Sequence, residues 1–428
     1  MANVIGIDLG TTYSAIAHLT LDGRAEVLRD TSNNNLTPSV ICLEGEREVL
    51  VGWEAKRESV VQPGLVAEYF KRQMGDESSV TLGDRRFTPI ELSTLVLTKL
   101  SQIAEEAIGR VDSAVITVPA NFTNQARQDT ISAGKAAGLN IDHIINEPTA
   151  AAIYYAQQQH IQGKVVVYDI GGGTFDCSIV EVNGQDVHIL SSQGNQRLGG
   201  HDFDNKLLSL IQAKFQQETG TEHTLTRADF IGKDLEDLKK SLSKREKVLI
   251  SVSPPQGGRV NIEVTQSEFS NAISTLIKKA EMLVEEALDE VNLSPSEIDH
   301  VVLVGGSSRV PAVRESVRRM FGKEPKAITN VDEVVALGAA VYAAIKSGTV
   351  QLNAAQVAAV SNVGVNEVCN HFFGTIALVH DEETNVANRE VAVLIPKNTK
   401  IPAEIGDTFY TMADGQTTVR CSVTQSPA

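Results

Sequence analysis

The sequence predicts a mixed α/β protein in which two related halves are followed by a short antiparallel β segment. The first observation is a repeat: an apolar strand ending in an aspartate and a Gly/Thr turn occurs at Asp8 and again at Asp169. The second is that helix and strand patterns alternate after each copy, as in sheets covered by helices. The third is a hydrophobic period of two from Phe373 onward, which is typical of β-strands.

Each copy of the repeat predicts a meander of three antiparallel strands. The turn signals inside the meanders are Asp22-Gly23 and Asn183-Gly184, and such dipeptides between apolar runs favour hairpins. The expected strands lie at 4–8, 14–19 and 25–28 in the first copy and at 165–170, 177–182 and 187–190 in the second.

Capping signals place the helices that follow. Thr88-Pro89-Ile90-Glu91 combines a capping box with proline at the first helical position, and Gly109 ends the predicted helix. Thr265-Gln266-Ser267-Glu268 predicts one long amphipathic helix to about Val291. Further helices are expected at 123–137, from Pro311 and at 334–346, and buried strands at 113–118 and 301–304.

Two segments follow the second half. Residues 348–368 are rich in Gln, Ala, Val and Asn, and their weak pattern indicates a linker. Beyond it we expect about four short strands, at 375–379, 391–395, 408–411 and 417–423.

Composition excludes several classes of function. The 428 residues correspond to about three units of ordinary domain size. A net charge of −16 without a basic stripe argues against nucleic acid as a partner. No apolar run reaches the ~18 residues that span a bilayer, and no secretion signal is evident, so we expect no membrane association and a cytoplasmic location. The four cysteines are far apart, which argues against disulfides and structural zinc.

The two Gly/Thr turns have the chemistry of a phosphate clamp. Glycine lets backbone N–H groups approach an anion closely, and Thr11, Thr12 and Thr174 add hydroxyl donors. Asp8 and Asp169 would repel phosphate unless Mg²⁺ and its waters lie between them. The alternative is two ordinary glycine turns with solvated aspartates, which a matched pair makes less plausible than a single copy would.

A third glycine element, Gly305-Gly306-Ser307-Ser308-Arg309, follows a buried strand. It is neither a Walker P-loop nor a dinucleotide fingerprint, and alone it is a weak signal. Placed with the two turns, it suits packing against a nucleoside, with Arg309 stacking on the base.

Five segments together resemble the seventy-kilodalton heat-shock chaperones of the DnaK type. The resemblance runs in order through residues 3 to about 347, and residues 394–402 and 414–417 are similar to the opening of that family's peptide-binding β-domain. The segments are Ile5–Ser14, Ile145–Ala152, Asp169–Asp176, Leu198–Asp204 and Val304–Arg309.

The resemblance implies an actin-like (ribonuclease-H-like) ATPase fold with two duplicated βββαβα lobes. Its nucleotide-binding domain would span residues 1–347, with lobe I at about 1–163 and lobe II at about 164–347. Residues 348–368 would be the linker. Residues 369–428 would form a partial substrate-binding β-domain without a helical lid.

The resemblance also assigns site residues by position, with ATP or ADP, Mg²⁺ and also K⁺ as the implied ligands. The catalytic set is Lys71, Glu147 and Asp176 with Asp8 and Asp169, of which the last two would hold Mg²⁺ through water. The phosphate-binding set is Gly10, Thr11, Thr12, Tyr13, Gly171, Gly172, Gly173 and Thr174. The nucleoside-binding set is Gly199, Gly200, Glu236, Lys239, Lys240, Ser243, Gly305, Gly306, Ser307, Arg309 and Asp332.

Some positions depart from the family pattern. Lys240 stands where an arginine is usual and stacks less well on adenine. His143 stands where an arginine meets J-domain cochaperones, which argues against that partnership, and Ile131 replaces a basic residue of the interdomain relay. The linker has no leucine run. Unfolded peptides and a nucleotide-exchange factor remain implied partners.

The function that these residues predict is a chaperone-type ATPase, a hydrolase that splits Mg-ATP and is coupled in the family to peptide binding. The first alternative is a nucleotide-binding regulatory or scaffold protein without chaperone output, which the linker favours. The second is a small-molecule kinase of the same superfamily, which the chaperone-type segments oppose.

Overall fold

The computed structural model describes residues 3–45, 48–59, 61–254, 258–326, 330–348, 352–381 and 386–426. The strands are β1 (Val4–Asp8), β2 (Tyr13–Leu19), β3 (Ala25–Val27), β4 (Thr37–Pro38), β5 (Ile41–Glu44), β6 (Glu48–Val51), β7 (Val66–Ala67), β8 (Val80–Leu82), β9 (Arg85–Phe87), β10 (Ser113–Val118), β11 (Ile141–Asn146), β12 (Gly163–Ile170), β13 (Phe175–Asn183), β14 (Asp186–Asn195), β15 (Lys247–Val252), β16 (Val260–Thr265), β17 (His300–Val304), β18 (Val365–Asn366), β19 (Phe372–Asp381), β20 (Val386–Ile395) and β21 (Val423–Ser426).

The α-helices are α1 (Trp53–Glu58), α2 (Pro89–Ile108), α3 (Asn124–Ala136), α4 (Glu147–Gln159), α5 (Gly200–Thr219), α6 (Leu235–Leu242), α7 (Gln266–Ala272), α8 (Ser274–Asp289), α9 (Pro311–Phe321), α10 (Val334–Ser347) and α11 (Ala354–Val360). Short 3₁₀ turns occupy Pro63–Leu65, Phe70–Gln73, Arg227–Asp229, Pro295–Glu297 and Gly306–Arg309. Among the described residues, no helix is long and apolar enough to cross a bilayer.

Two mixed sheets carry the two Gly/Thr turns. The first has the order β11-β10-β1-β2-β3, with β4 also paired to β2, and the second has the order β17-β12-β13-β14-β18. In each sheet the strand before the turn pairs antiparallel with the strand after it and parallel with a later strand. The two predicted meanders are therefore confirmed, and both turns lie at the ends of buried central strands.

Helix α10 covers the first sheet and packs on α4, which in turn contacts the second sheet. It packs against β1, β2 and α4, and it is buried over most of its length, as its almost entirely apolar sequence requires. At two points α10 approaches β1 or α4 so closely that only a glycine fits between the backbones. A Cβ on Gly6 would lie 2.1 Å from the Ala340 nitrogen, and a Cβ on Gly338 would lie 1.7 Å from the Ala150 carbonyl oxygen.

The capping signals located most helix starts correctly, and α2 and α7 both begin with the predicted capping boxes. The prediction of one long helix from Thr265 to Val291 was wrong. The chain forms α7 and α8 instead, with a break at Ile273, where ψ is 0°. Ile273 is fully buried, so packing rather than a glycine or proline sets the break.

The segment interpreted as a linker contains α11 and β18. Asn353 caps α11, and the Asn353 and Gln356 amides donate to the carbonyls of Leu21 and Leu19 in the first meander. Strand β18 pairs parallel with β14 at the edge of the second sheet. The segment thus lies against both sheets.

The C-terminal segment forms a three-stranded sheet in the order β20-β19-β21. The strand predicted at 408–411 and the first part of the one at 417–423 are absent from the structure, where 402–422 has no strand pairing. Alternating residues make a strand only when a neighbour accepts their backbone hydrogen bonds, and the described tail offers no such neighbour there. Lys397 and Asn398 donate to Glu290 at the end of α8, which holds this sheet against the second sheet's helices.

Candidate nucleotide-binding site

A cleft of about 480 Å³ lies where the two Gly/Thr turns meet. Most of the predicted site residues line it, together with several that were not predicted. The predicted residues in its wall are Asp8, Gly10, Thr11, Thr12, Tyr13, Lys71, Glu147, Asp169, Gly171, Gly172, Thr174, Glu236, Lys239, Lys240, Ser243, Gly305, Gly306, Ser307, Arg309 and Asp332. The predicted residues outside the wall are Gly173, Asp176, Gly199 and Gly200, which lie directly behind it.

The two turns face each other across the cleft. A Cβ on Gly172 would lie 1.8 Å from the Thr12 hydroxyl oxygen, and a Cβ on Gly173 would lie 2.3 Å from the Thr11 methyl carbon. Only glycine permits this approach. The backbone N–H groups and threonine hydroxyls of both turns are consequently gathered in one place, which is the arrangement that an anion requires.

The start of α5 packs behind the second turn. Gly200 N donates to the Gly171 carbonyl over 3.0 Å, and a Cβ on Gly199 would lie 2.7 Å from Gly173 N. Ser307 Oγ donates to the same Gly171 carbonyl over 2.8 Å. The glycine pairs at 199–200 and 305–306 therefore position the turn in this structure.

Buried acids lie at the floor of the cleft. Burial, together with repulsion from Glu147, raises the pKa of Asp8 to about 7, even though Lys71 and a hydrogen bond from Thr117 oppose the shift. The same two causes raise the pKa of Asp169 and of Asp176 well above the usual range. Asp176 accepts a hydrogen bond from Ala120 N over 3.1 Å. The protein therefore supplies too little positive charge to keep all of these carboxyls ionised.

One ammonium offsets part of this charge. Lys71 Nζ lies 2.6 Å from Glu147 Oε1, and both side chains are almost fully buried. Lys71 lies in the 3₁₀ turn Phe70–Gln73, and Glu147 is the first residue of α4, where the positive helix end favours a carboxylate. A buried charge that loses its partner is strongly destabilised, so each side chain fixes the other.

The acid cluster predicts a stability effect for Asp8→Asn. A carboxyl with a folded-state pKa near 7 and an unfolded value near 4 binds more protons when folded, so stability falls as pH rises through this window. Asparagine removes the charge and can still accept the Thr117 hydrogen bond. We expect Asp8→Asn to raise the free energy of unfolding at pH 8 by about 1–3 kcal/mol and to have no effect at pH 4.

The measurement is urea unfolding of nucleotide-free protein in EDTA at both pH values. Asp414→Asn, in the exposed tail, is the matched control and should change nothing. An Asp8→Asn protein that is less stable than the wild type at pH 8 would contradict the prediction.

At the other end of the cleft, Glu236 on α6 lies between two lysines. Burial alone would raise the pKa of Glu236, but Lys56 and Lys240 hold it at about 2, so the carboxylate is ionised at neutral pH. Lys56 Nζ lies 2.6 Å from Tyr13 Oη, and Tyr13 Oη lies 3.3 Å from Glu236 Oε2. These contacts join the first turn and α1 to α6 across the cleft mouth.

The remaining predicted nucleoside residues contact protein groups. Lys239 donates to Asp204 over 2.9 Å and to the Gly200 carbonyl over 3.0 Å. Arg309 pairs with Asp332 at 2.8 Å, and half of its side chain is exposed in the cleft wall. The Lys239 ammonium is therefore occupied by contacts with the first turns of α5, whereas the exposed half of the Arg309 side chain is open to the cleft.

The sequence model of the Hsp70 protein family matches residues 4–82 and 76–428. The DnaK chaperone proteins of Thermotoga neapolitana and Thermotoga petrophila are each 36% identical to the chain over 444 residues, covering 99% of the chain and 70% of each relative.

The chain belongs to the Hsp70 family. The fold expected for the family, an actin-like ATPase, agrees with the mixed α/β architecture described above. Hsp70 proteins are chaperone ATPases that bind ATP or ADP with Mg²⁺ and act on unfolded peptides with cochaperones. The chain is accordingly a chaperone-type ATPase, and nothing in these comparisons favours a regulatory scaffold or a small-molecule kinase.

Sequence reasoning missed several residues of this Hsp70 site. Arg72 donates to the Gly173 carbonyl over 2.8 Å and to Asp202. A residue from the first half of the chain therefore holds the second Gly/Thr turn in place. His201 stacks on Tyr69 with ring centroids 4.0 Å apart, and burial lowers the pKa of His201 to about 4. Asp202 and His201 were inside a recognised segment, which was the available signal. Arg72 was next to the assigned Lys71 in a recognised segment, whereas nothing local marked Tyr69.

The acidic side chains at the floor of the cleft have chemistry that suits Mg²⁺. Asp8 and Asp169 are carboxylates, the ligands that Mg²⁺ prefers, and burial without sufficient positive charge disfavours their ionised forms. A divalent cation near them would relieve that cost. Among the described residues, no group of three or more acidic, histidine or cysteine side chains is arranged to hold a metal directly.

Proposed function

We propose that this cleft binds Mg-ATP and hydrolyses it to ADP and phosphate. The single observation that carries the proposal is the buried Lys71–Glu147 pair, which lies among Asp8, Asp169 and Asp176 at the base of two apposed Gly/Thr turns. The Lys71 ammonium is buried at the base of both turns, which is where it could act on a reacting phosphoryl group held by them.

Each half of the chain supplies one turn. We propose that residues 1–163 and 164–347 are duplicated lobes of βββαβα type. The support is that β1-β2-β3 and β12-β13-β14 are antiparallel meanders with the same pairing to a later parallel strand. A duplicated clamp places the same donor-rich turn on both sides of one phosphate chain.

The turns bind and orient the phosphates. Backbone N–H groups at Gly10 to Tyr13 and Gly171 to Thr174 would donate to phosphate oxygens, with the hydroxyls of Thr11, Thr12 and Thr174 as further donors. Arg72 holds the second turn through its Gly173 carbonyl. Fixed donors lower the barrier because they need not reorganise as charge develops.

Catalysis would be divided between Lys71 and the acids. The Lys71 ammonium stabilises the charge on the transferring phosphoryl oxygens, and Glu147 orients the ammonium. Asp176, held by Ala120 N, would accept the proton of the attacking water at a carboxylate oxygen, for which its raised pKa is suited. Asp8 and Asp169 would hold Mg²⁺ through water, and the ion neutralises phosphate charge when bound. K⁺ is a further ion that the family resemblance implies.

The nucleoside would lie at the Glu236 end. The ionised Glu236 is suited to accept from ribose hydroxyls, while Lys240 and Arg309 would flank the base. Ser243, Ser307, Gly305, Gly306 and Asp332 complete the wall, and Lys239 with Gly199 and Gly200 would position it from behind.

The partners proposed for this chain are those typical of the Hsp70 family. We propose that residues 348–368 connect the ATPase to a partial peptide-binding β-domain at 369–428. The contacts of Lys397 and Asn398 with Glu290 support coupling between the two. Unfolded peptides and a nucleotide-exchange factor are the proposed partners, and His143 argues against a J-domain cochaperone. The cytoplasmic location stays a prediction.

The test is release of inorganic phosphate from ATP by the whole chain. We expect slow, multiple-turnover hydrolysis with Mg²⁺ and none in excess EDTA, while ADP binding is followed by calorimetry. Tight ATP binding without any phosphate release would contradict the proposal and favour a regulatory role. Transfer of the phosphoryl group to a sugar or small acid instead of water would favour a kinase.

A further inference from the structure

Tyr69 has an unusual backbone conformation two residues before the proposed catalytic lysine. Its φ is 60° and its ψ is 15°, which is the left-handed region that residues other than glycine rarely adopt. Such a conformation persists only where surrounding contacts hold it. Tyr69 directly precedes the 3₁₀ turn Phe70–Gln73 that contains Lys71, and its carbonyl accepts from Arg72 N over 3.1 Å. The conformation of Tyr69 therefore sets the direction of this turn and of the lysine in it.

The side chain of Tyr69 makes no capping hydrogen bond to this turn. Its ring instead stacks on His201, with centroids 4.0 Å apart and planes tilted by 37°, and both residues line the cleft. His201 lies at the start of α5, so the stack joins the two halves of the chain across the cleft. Burial and the nearby Arg72 guanidinium lower the pKa of His201 to about 4, so an uncharged ring meets Tyr69 at neutral pH.

His201 is itself attached to the second Gly/Thr turn. Its backbone N–H donates to the Gly172 carbonyl over 2.7 Å. Arg72 donates to the Gly173 carbonyl of the same turn over 2.8 Å. The segment that contains Lys71 is therefore linked to this turn on both sides of the lysine, through the ring stack before it and through the Arg72 side chain after it.

We propose that the stack of Tyr69 on His201 positions Lys71 against the phosphate that the second turn holds. The stack keeps Tyr69 in its left-handed conformation, and that conformation fixes the start of the turn that contains Lys71. A misplacement of about 1 Å at a reacting group can cost about 10²-fold in rate, so a rigid link between lysine and phosphate directly affects turnover. Tyr69 and His201 are positioning residues, because the ammonium and neither ring would act on the phosphoryl group. The inference rests on the proposed ATP hydrolysis and adds to it how the lysine is held.

Steady-state phosphate release by the whole chain tests this role. We expect Tyr69→Ala and His201→Ala each to lower kcat about tenfold and to leave the KM for ATP and the ADP affinity within about threefold of the wild type. Tyr69→Phe and His201→Phe keep an aromatic face, so each should retain kcat within about threefold. Tyr69→Phe also removes the hydrogen bond between the Tyr69 hydroxyl and Arg227, which separates that bond from the stack. His223→Ala is the matched control, since it removes a ring contact with Phe215 outside the cleft wall, and it should leave kcat unchanged.

A double variant shows whether the stack acts through Lys71. Adding His201→Ala to Lys71→Ala should change the residual rate by less than about twofold, because the group that the stack positions is already gone. A full tenfold further loss in the double variant would overturn the proposal. Wild-type kcat in His201→Ala, or a His201→Phe protein as slow as His201→Ala, would overturn it as well, with ADP binding showing that each variant is folded. A wild-type protein that releases no phosphate would instead refute the proposed function.

Discussion

Lys71→Ala should reduce ATP hydrolysis by at least about 100-fold and leave ADP affinity within about threefold of the wild type. The ammonium is buried 2.6 Å from Glu147, and in the proposed mechanism it acts on the reacting phosphoryl group and not on the base or ribose. Loss of one fixed charge-stabilising donor in a water-excluded site costs about 10²–10³ in rate. Steady-state phosphate release and ADP calorimetry measure the two effects.

The matched control is Lys206→Ala, a lysine on the exposed face of α5. It should hydrolyse ATP at the wild-type rate. Retained binding of ADP by Lys71→Ala would also show that the protein is folded, although Glu147 has lost its partner. Wild-type turnover in Lys71→Ala would contradict the catalytic assignment.

Gly338→Ala should destabilise the fold by about 3 kcal/mol, although alanine is the better helix former by about 1 kcal/mol. Gly338 lies within α10, and the added Cβ would lie 1.7 Å from the Ala150 carbonyl oxygen and 2.4 Å from its carbon. Both atoms belong to the backbone of α4, which cannot rotate away as a side chain could. The two helices must separate, and α4 carries Glu147 at its first position.

Urea unfolding of the nucleotide-free protein measures this effect, and ATP turnover should fall with it because Glu147 moves relative to Lys71. Gly64→Ala is the matched control, since no atom lies within 4 Å of a Cβ added there. We expect Gly64→Ala to change the stability by less than about 0.5 kcal/mol. A Gly338→Ala protein as stable as the wild type would show that the α4–α10 contact tolerates a methyl group.

Much of the fold was predictable because its signals are local. Capping boxes at Thr88 and Thr265 mark helix starts through contacts within one turn. The Asp-Gly and Asn-Gly dipeptides mark hairpins in the same way, and both meanders formed as expected. The break at Ile273 had no such mark, since the residue is an ordinary helix former whose burial against the second sheet decides the turn.

In the C-terminal segment, the sequence predicted a strand that the structure does not contain. Residues 408–411 have the alternation of a strand, but a strand also needs a neighbouring backbone, and the described tail supplies one only to β19, β20 and β21. Residues 348–368, where the weak pattern predicted no helix or strand, contain α11 and β18, and Gln356 and Asn353 find carbonyl partners in the first meander. Those partners lie more than 300 residues away in the chain, beyond any local pattern.

The sequence by itself determined the chemistry of the site: two glycine-threonine turns, each beside an aspartate, and the family to which they belong. Only the tertiary structure decided which groups meet. It placed Thr12 against Gly172, paired Lys71 with Glu147, and paired Lys56 with Glu236 across the cleft mouth. The physical reason is range, because residue type and spacing fix hydrogen bonds within a turn, whereas contacts between distant segments depend on how buried surfaces pack.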